Sequence, residues 1–183
     1  TKPFGSKAFY PAPGIGGHCL PIEPFSLTWK AREYGIHTRF IELAGEVNAA
    51  MPDYVFRKTL EALSARGIAM SNARLLVLGI AYKRDVDDVR ESPSVQLMEI
   101  LRQWGARIDY SDSNVPVFPV MREHSFDLAS VALTPETLAH YDAVLVLTDH
   151  SDVDYDMLRQ HARLIIDARG RYSGVTDPKI VAA

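Results

Sequence analysis

The chain has 183 residues, of which 47% are hydrophobic and 23% are charged, and its formal net charge at pH 7 is −3. This composition is typical of a globular protein and excludes a disordered or collagen-like chain. A protein that binds nucleic acid or an anionic membrane usually carries a strong basic excess, so we expect no nucleic-acid partner and no membrane partner.

The first 22 residues predict a loop, because proline and glycine are too dense there for regular structure. Helical patterns follow over about residues 24–34, 38–50 and 53–66. Gly35 follows the first of these patterns and Gly67 the third, as expected for the glycine that ends a helix. The first third of the chain is therefore predicted to be a loop followed by helices.

The pattern changes after residue 71. A continuous apolar run from Leu75 to Ala81 predicts a strand buried on both faces of a parallel sheet. Further strands are predicted near residues 106–111, 143–148 and 164–167. Helices are predicted near residues 93–104, where Ser92 would be the cap, from Thr134, and near 154–161. This alternation predicts an α/β fold with a doubly wound, mostly parallel, Rossmann-like sheet over residues 72–183, preceded by the loop and helices of residues 1–71.

Cationic residues follow two of the predicted strands, at the edge where doubly wound sheets bind ligands. The segment after the first strand has no G-x-G-x-x-G dinucleotide motif, but Lys83 and Arg90 flank a helix start there. Arg169 follows the last predicted strand and can bind a phosphate through two parallel hydrogen bonds. The pattern suits a pyrophosphate. The alternative is a solvated loop in which the bases pair with neighbouring carboxylates (Asp85, Asp87 and Asp88).

Cys19 is the single cysteine, which excludes an internal disulfide and a multi-cysteine metal site and favours a cytoplasmic protein. It lies in a glycine-rich turn that leads into a helix, where N–H groups and the helix dipole favour a thiolate. A nucleophilic cysteine, with His18 as a neighbouring cation, is one interpretation, and an inert cysteine is the other. The six histidines lack metal-ligand spacing, so we predict no metal site.

Three stretches of the sequence resemble the UDP-glucose/GDP-mannose dehydrogenase family. They are Pro13-Gly14-Ile15-Gly16-Gly17-His18-Cys19-Leu20-Pro21, Thr28-Trp29-Lys30-Ala31-Arg32-Glu33, and Lys83 with Arg90-Glu91-Ser92-Pro93. The first two look like the UDP-N-acetylglucosamine 6-dehydrogenase branch of that family. The resemblance spans essentially the whole chain but only the C-terminal part of the family. It implies that the family's N-terminal Rossmann domain and most of its central helical segment, including a catalytic lysine and asparagine, have no counterpart in these residues.

The resemblance implies an NAD-dependent oxidation of the C6 alcohol of a UDP-N-acetylhexosamine to a uronate. Cys19 would form a thiohemiacetal and then a thioester, and Glu23 stands where the family commonly has the aspartate that orients water. Implied sugar-nucleotide contacts are Tyr10, Pro11, Ala12, Pro13, Gly14, Ile15, Gly16, Tyr82, Lys83 and Arg169. Implied NAD contacts are Cys19, Leu20, Pro21, Ile22 and Arg90.

The resemblance also implies a homodimer or higher oligomer assembled through the central helices. Because the dinucleotide motif is absent, we expect the isolated chain to be inactive. Two other interpretations remain open. One is a non-catalytic UDP-sugar-binding module, which would use Lys83 and Arg169 but give Cys19 no role. The other is a dimerisation module built on the helices between residues 38 and 66.

Overall fold

The computed structural model describes residues 12–17, 19–122 and 124–183. Three helices precede the sheet, and they lie close to the predicted positions. These are α1 (Glu23–Arg32), α2 (Arg39–Ala49) and α3 (Met51–Ser64). Pro24 and Pro52 each occupy the first turn of a helix, where the missing proline N–H has no intrahelical partner to lose.

Five parallel strands form one sheet in the order β2-β1-β3-β4-β5. The strands are β1 (Arg74–Leu78), β2 (Arg107–Ser111), β3 (Ala143–Val146), β4 (Ile165–Asp167) and β5 (Ile180–Ala182). The connecting helices are α4 (Pro93–Gln103), α5 (Pro135–Leu138) and α6 (Tyr155–His161). The predicted doubly wound α/β fold is confirmed, and β5 is an additional strand that the sequence pattern did not indicate.

The apolar run of β1 is continuous because the strand is covered on both faces. Leu75 and Val77 pack in one core with side chains of α3 and α4. Leu76 and Leu78 point the other way and pack in a second core with side chains of α5 and α6. Alternate residues of a strand face opposite sides of a sheet, so both sets must be apolar here.

Strand β1 ends at Leu78, three residues before the predicted end at Ala81. Gly79 has a φ of 81°, and a Cβ at this position would lie 2.5 Å from the carbonyl oxygen of Thr148. Only glycine therefore lets the chain turn so closely against the end of β3. The turn starts the β1–α4 loop, which we define as residues 79–92, at the carboxyl edge of the sheet.

Helices α1 and α2 pack differently from the rest of the described chain. No residue of α2 is buried, and Thr28 is the only buried residue of α1. Phe40 is 88% exposed and Trp29 is 67% exposed. Helix α3, in contrast, buries Val55, Phe56 and Leu63 against the sheet domain. Within the described residues, no helix has the length and apolarity needed to cross a membrane.

Candidate functional site

Cys19 is exposed in a turn that leads directly into α1. Its carbonyl oxygen accepts hydrogen bonds from the N–H groups of Ile22 at 3.1 Å and Glu23 at 2.8 Å. These bonds make the turn continuous with the first turn of the helix. We call residues 12–17 and 19–22 the cysteine turn. The thiol is therefore accessible to a ligand and lies on a backbone that the helix start holds in place.

The cysteine turn contacts the β1–α4 loop through its glycines. The N–H of Gly17 donates to the carbonyl oxygen of Arg90 at 3.0 Å. A Cβ on Gly16 would lie 2.6 Å from the Glu91 carbonyl oxygen and 2.6 Å from Tyr82 Cβ. These distances are shorter than van der Waals contact, so a larger residue at position 16 would separate the two segments. The contact places the cysteine turn at the carboxyl edge of the sheet.

A second contact holds the cysteine turn from the side of α2. The N–H of Ile15 donates to Oδ1 of Asn48 at 2.7 Å. Between α2 and the turn lies a cavity of about 540 Å³ that Leu20, Pro21, Phe25 and Phe40 help to line. Four of the residues predicted to contact ligands (Gly14, Ile15, Leu20 and Pro21) line this mainly apolar cavity. The predicted residues Tyr10, Pro11 and His18 lie outside the described part of the chain.

Two of the predicted cations on the β1–α4 loop have different surroundings. Lys83 is exposed and makes no hydrogen bond or ion pair with any described residue. Arg90 pairs with Asp88, with Nη2 2.6 Å from Oδ2. The hydrogen bond and charge of Asp88 raise the pKa of Arg90, and Tyr82 and Cys19 add smaller contributions in the same direction. The exposed Arg90 guanidinium therefore lies on the same loop that the cysteine turn contacts.

Arg169 belongs to a three-residue ion cluster beyond the ends of β3 and β4. Its Nε donates to Oδ1 of Asp149 at 3.3 Å, and Arg84 donates to the other oxygen of the same carboxylate. The Asp149 hydrogen bond and its charge raise the pKa of Arg84, although burial opposes the shift. Asp149 is thus the shared ion-pair partner of Arg84 and Arg169. Pairing of Arg90 with Asp88 is confirmed.

The backbone around Arg169 is held by Asp167, the buried last residue of β4. Oδ1 of Asp167 accepts the N–H groups of Arg169 and Arg171, each at 3.1 Å, and Oδ2 accepts that of Tyr172 at 2.7 Å. The carboxylate thus fixes the turn after β4. Arg169 itself has a quarter-exposed side chain that can still reach a ligand.

Asp112 directly follows β2 and binds the first residues of the β1–α4 loop. Its Oδ2 accepts the N–H groups of Ile80 at 2.8 Å and Ala81 at 3.1 Å. In a dinucleotide-binding sheet the first βα turn presents its N–H groups to the pyrophosphate. The carboxylate takes up these donors, which agrees with the missing G-x-G-x-x-G motif.

Ser92 stands at the N-cap position of α4, as predicted, but its side chain does not cap the helix. The hydroxyl instead donates to the carbonyl oxygen of Ile80 at 2.7 Å. The buried serine therefore closes the β1–α4 loop on itself. The expected side-chain cap is wrong, since no N–H of α4 donates to the Ser92 hydroxyl, which is turned towards Ile80.

Glu23 is exposed at the first position of α1, four residues after Cys19. The structure thus places a cysteine, a carboxylate and the cationic side chains of Lys83, Arg90 and Arg169 on the same side of the molecule, at or facing the carboxyl edge. Asp112, Asp149 and His150 also belong to this edge, and the sequence reasoning gave them no role in the site. Their position directly after strands was the signal that could have revealed them.

Two parts of the chain match one protein family. Residues 76–174 match the UDP-binding domain of the UDP-glucose/GDP-mannose dehydrogenase family, and residues 1–50 match the central domain of the same family. The two matches cover the sheet domain and the segment that carries Cys19.

Curated relatives that resemble the chain are nucleotide-sugar dehydrogenases. A UDP-N-acetyl-D-mannosamine dehydrogenase of Methanococcus maripaludis is 33% identical over 140 residues, covering 76% of this chain and 29% of the relative. The enzyme of that name from Escherichia coli K12 is 29% identical and covers 87% of this chain and 38% of the relative. A UDP-N-acetyl-D-glucosamine 6-dehydrogenase of Salmonella typhi is 27% identical and covers 74% and 31%.

A solved structure of a UDP-D-ManNAc dehydrogenase from Pyrococcus horikoshii superposes with a TM-score of 0.75 at 28% identity. The superposition covers 97% of this chain and 40% of that one. The chain thus spans between about three-tenths and two-fifths of the length of the relatives it matches.

Proposed function

The chain belongs to the UDP-glucose/GDP-mannose dehydrogenase family, and on this basis we propose that it supplies the nucleophile and the nucleotide-sugar-binding domain of an NAD-dependent UDP-sugar 6-dehydrogenase. One observation carries the proposal. The exposed Cys19 turn is hydrogen-bonded to the loop that presents Tyr82, Lys83 and Arg90, through Gly17 N–H and the Arg90 carbonyl. A thiol and an anion-binding edge thereby form one site.

The proposed substrate is a UDP-N-acetylhexosamine, with UDP-N-acetylglucosamine as the first candidate. Lys83 offers an ammonium group without a partner among the described residues, and Arg169 offers a guanidinium whose backbone Asp167 holds. A diphosphate needs donors of this kind, since charged hydrogen bonds to phosphate are stronger than neutral ones. Ala12, Pro13, Gly14, Ile15 and Gly16 would face the sugar nucleotide from the cysteine turn.

The proposed reaction is a four-electron oxidation of the C6 alcohol to a carboxylate. The Cys19 thiolate would add to the carbon of the intermediate aldehyde and give a thiohemiacetal. Oxidation of that adduct leaves a thioester, which water hydrolyses to the acid and the free thiol. A thiolate suits both steps because it is a strong nucleophile and a good leaving group. Glu23 would orient the hydrolytic water.

NAD would supply the electron acceptor for both oxidations. Within this chain, the residues proposed to contact it are the exposed Arg90 and Cys19, Leu20, Pro21 and Ile22 of the cysteine turn. The exposed Arg90 guanidinium fits a phosphate group approaching from outside the sheet. Because this sheet lacks the dinucleotide motif and Asp112 accepts N–H groups of its first βα turn, the rest of the cofactor site would come from other parts of the complete enzyme.

Replacement of Cys19 tests the chemistry directly. In the complete enzyme, Cys19→Ala and Cys19→Ser should abolish uronate formation, because no covalent adduct can form. Binding of UDP, measured by calorimetry, should remain unchanged and is the control for folding. Near-normal uronate formation by Cys19→Ala would contradict the proposed nucleophile. The isolated 183-residue chain should produce no NADH from UDP-N-acetylglucosamine, and measurable production would contradict the need for further domains.

The identity of the sugar is tested with a substrate panel. The complete enzyme is assayed with UDP-glucose, UDP-N-acetylglucosamine, UDP-N-acetylgalactosamine and UDP-N-acetylmannosamine, each with NAD and with NADP. We expect turnover with NAD and an N-acetylhexosamine. Relatives named for both the manno and the gluco substrate match this chain, so both belong in the panel. Preference for UDP-glucose would contradict the substrate class.

Assembly through the central helices is a second proposed role, and it is compatible with catalysis. Helix α2 buries no residue, although Phe40, Leu43 and Val47 are apolar and more than half exposed. Large apolar patches of this kind are typical of protein interfaces. We propose that a second copy of the chain covers them. Phe40→Glu should convert the oligomer to monomer in analytical ultracentrifugation, and an unchanged sedimentation coefficient would contradict the proposal.

A cytoplasmic location stays a prediction.

A further inference from the structure

A buried hydrogen-bond chain runs beneath the β1–α4 loop. Asp112 and His150 are both buried, with side chains at most 1% exposed. Nε2 of His150 lies 3.1 Å from Oδ2 of Asp112, the same oxygen that accepts the N–H groups of Ile80 and Ala81. A buried carboxylate with this many donors is fixed in orientation, because each lost hydrogen bond would leave an unsatisfied polar group.

The other side of the His150 ring continues the chain. Nδ1 of His150 lies 3.0 Å from the backbone N–H of Asp85. A backbone N–H can only donate, so Nδ1 is the acceptor and the ring proton sits on Nε2, facing Asp112. Oδ1 of Asp85 in turn accepts the N–H of Ser151 at 2.8 Å. The imidazole therefore connects the end of β2 to the middle of the β1–α4 loop.

The two ends of this chain enclose the segment that carries Lys83. On one side, Ala81 is held by Asp112 and by the Thr148 hydroxyl, which donates to the Ala81 carbonyl at 2.6 Å. On the other side, Asp85 is held by His150 in a left-handed conformation with φ of 59°. Only residues 82–84 lie between these anchors, which leaves the backbone of Lys83 little freedom.

The same segment supports the cysteine turn. The ring of Tyr82 lies against Gly17, where a Cβ would be 3.0 Å from Tyr82 Cε2. Movement of residues 82–84 would therefore displace both the Lys83 ammonium group and the surface on which the cysteine turn rests. Neither Asp112 nor His150 is exposed to a ligand itself.

We propose that Asp112 and His150 are positioning residues for the nucleotide-sugar site: the imidazole, fixed by Asp112, holds Asp85 and so sets the position of Lys83 and Tyr82. This inference rests on the proposed function for the role of Lys83, but the geometry it predicts can be measured without any ligand.

Two conservative variants each remove one of the two hydrogen bonds that the His150 ring makes to Asp112 and Asp85. In His150→Gln the side-chain amide can replace the donor towards Asp112, but the acceptor for Asp85 is lost. In His150→Asn the shorter side chain can replace that acceptor and loses the contact with Asp112. Loss of one positioning hydrogen bond should weaken UDP binding by about tenfold in His150→Gln and by less than about threefold in His150→Asn.

Tyr141→Phe is the matched control, because it also removes a hydrogen bond of a largely buried side chain. The Tyr141 hydroxyl donates to Asp109 at 2.9 Å, and Tyr141 precedes β3 at the opposite edge of the sheet. The three variants and the parent protein are compared by calorimetry with UDP and by thermal denaturation. His150→Gln that binds UDP within twofold of the parent overturns the proposal. Equal weakening by Tyr141→Phe also overturns it, since general destabilisation would then explain the loss.

Amide hydrogen exchange makes the test independent of UDP binding. In His150→Gln the amide of Asp85 should lose protection by about tenfold or more, while amides of β4 keep theirs. If the parent protein does not bind UDP, the proposed function fails, and exchange alone decides the positioning role. Unchanged protection at Asp85 then overturns the inference. Should His150→Gln fail to fold, exchange in the parent protein decides: the Asp85 amide should be protected although the residue is exposed, and unprotected exchange there overturns the inference.

Discussion

Helices α1 and α2 expose large apolar side chains, whereas the parallel sheet buries its apolar side chains. Every residue of β3 is buried, and the two cores on either side of the sheet are filled by helices of the same chain. Helix α2 buries nothing, and its apolar residues face outwards. The sheet region therefore contains what it needs to be stable, whereas the region of α1 and α2 has apolar surface that this chain does not cover.

The difference has a functional meaning, since Cys19 lies where the two regions meet. The cysteine turn is tied to α2 through Asn48 and to the β1–α4 loop through Arg90. A change in how α1 and α2 are covered would be transmitted to the thiol. The residues proposed to bind the diphosphate, in contrast, sit on loops anchored by the sheet.

The largest expected effect is a difference in the free energy of unfolding between a substitution in the sheet and one in α2. Leu145 is fully buried in β3, and Leu145→Ala should lower the free energy of unfolding by about 2–5 kcal/mol. Phe40 is 88% exposed, and Phe40→Ala should change the free energy of unfolding by less than about 0.5 kcal/mol at concentrations where the protein is monomeric. Urea denaturation measures both. Equal losses would contradict the contrast between the regions.

The next effect concerns ligand binding by the sheet edge. Lys83→Ala and Arg169→Ala should each weaken UDP binding by about 1.5–3 kcal/mol, the cost of a lost charged hydrogen bond. Isothermal titration calorimetry is the measurement. Lys58→Ala removes a cation from α3 and is the control for net charge. Affinities that match the parent protein would remove Lys83 and Arg169 from the site.

The smallest effect is a pH dependence that belongs to the sheet region. Burial alone would raise the pKa of Asp112, but hydrogen bonds from His150, Ile80 and Ala81 outweigh it and lower the pKa below the ordinary value of 3.8. A carboxyl group with a lowered pKa adds stability that is present above its unfolded value and is lost as pH falls through the folded value. The ionised Asp112 should therefore stabilise the fold above pH 3.8 and cease to do so in stronger acid.

Denaturation of the parent protein and Asp112→Asn as a function of pH tests this dependence. The parent should be more stable by an amount of the order of 1 kcal/mol near neutrality, and the difference should shrink below pH 3.8. Glu46→Gln, on the exposed face of α2, is the control and should run parallel to the parent. A difference between parent and Asp112→Asn that is constant with pH would contradict the assignment.

Most of the fold follows from local patterns in the sequence. The buried runs at Leu75–Leu78 and Ala143–Val146, with helices between them, predict the sheet without any knowledge of contacts. The end of β1 cannot be predicted in this way, because the turn at Gly79 depends on Thr148, which is distant in sequence. Strand β5 escapes prediction because it has only three residues, two half-buried and one exposed, and follows Pro178 closely.

The candidate site likewise contains residues that local sequence predicts and residues that it does not. Lys83 and Arg169 could be placed at one edge because they follow strands of a parallel sheet. The ion-pair partner that Arg169 shares with Arg84 could not be predicted, since Asp149 lies 65 residues from Arg84 along the chain. The exposed Cys19 turn was expected from its glycines, whereas the buried pair of Asp112 and His150 requires the register of three strands to be known.

The carboxylate shared by Arg84 and Arg169 bears on turnover. Two guanidinium groups facing one Asp149 leave a net charge of +1, so an arriving diphosphate meets attraction from side chains that are already oriented. When the nucleotide departs, the arginines return to a counterion built into the protein, and no pair of like charges is left facing each other. In the proposed enzyme, both arginines would thus have a built-in counterion between one nucleotide and the next.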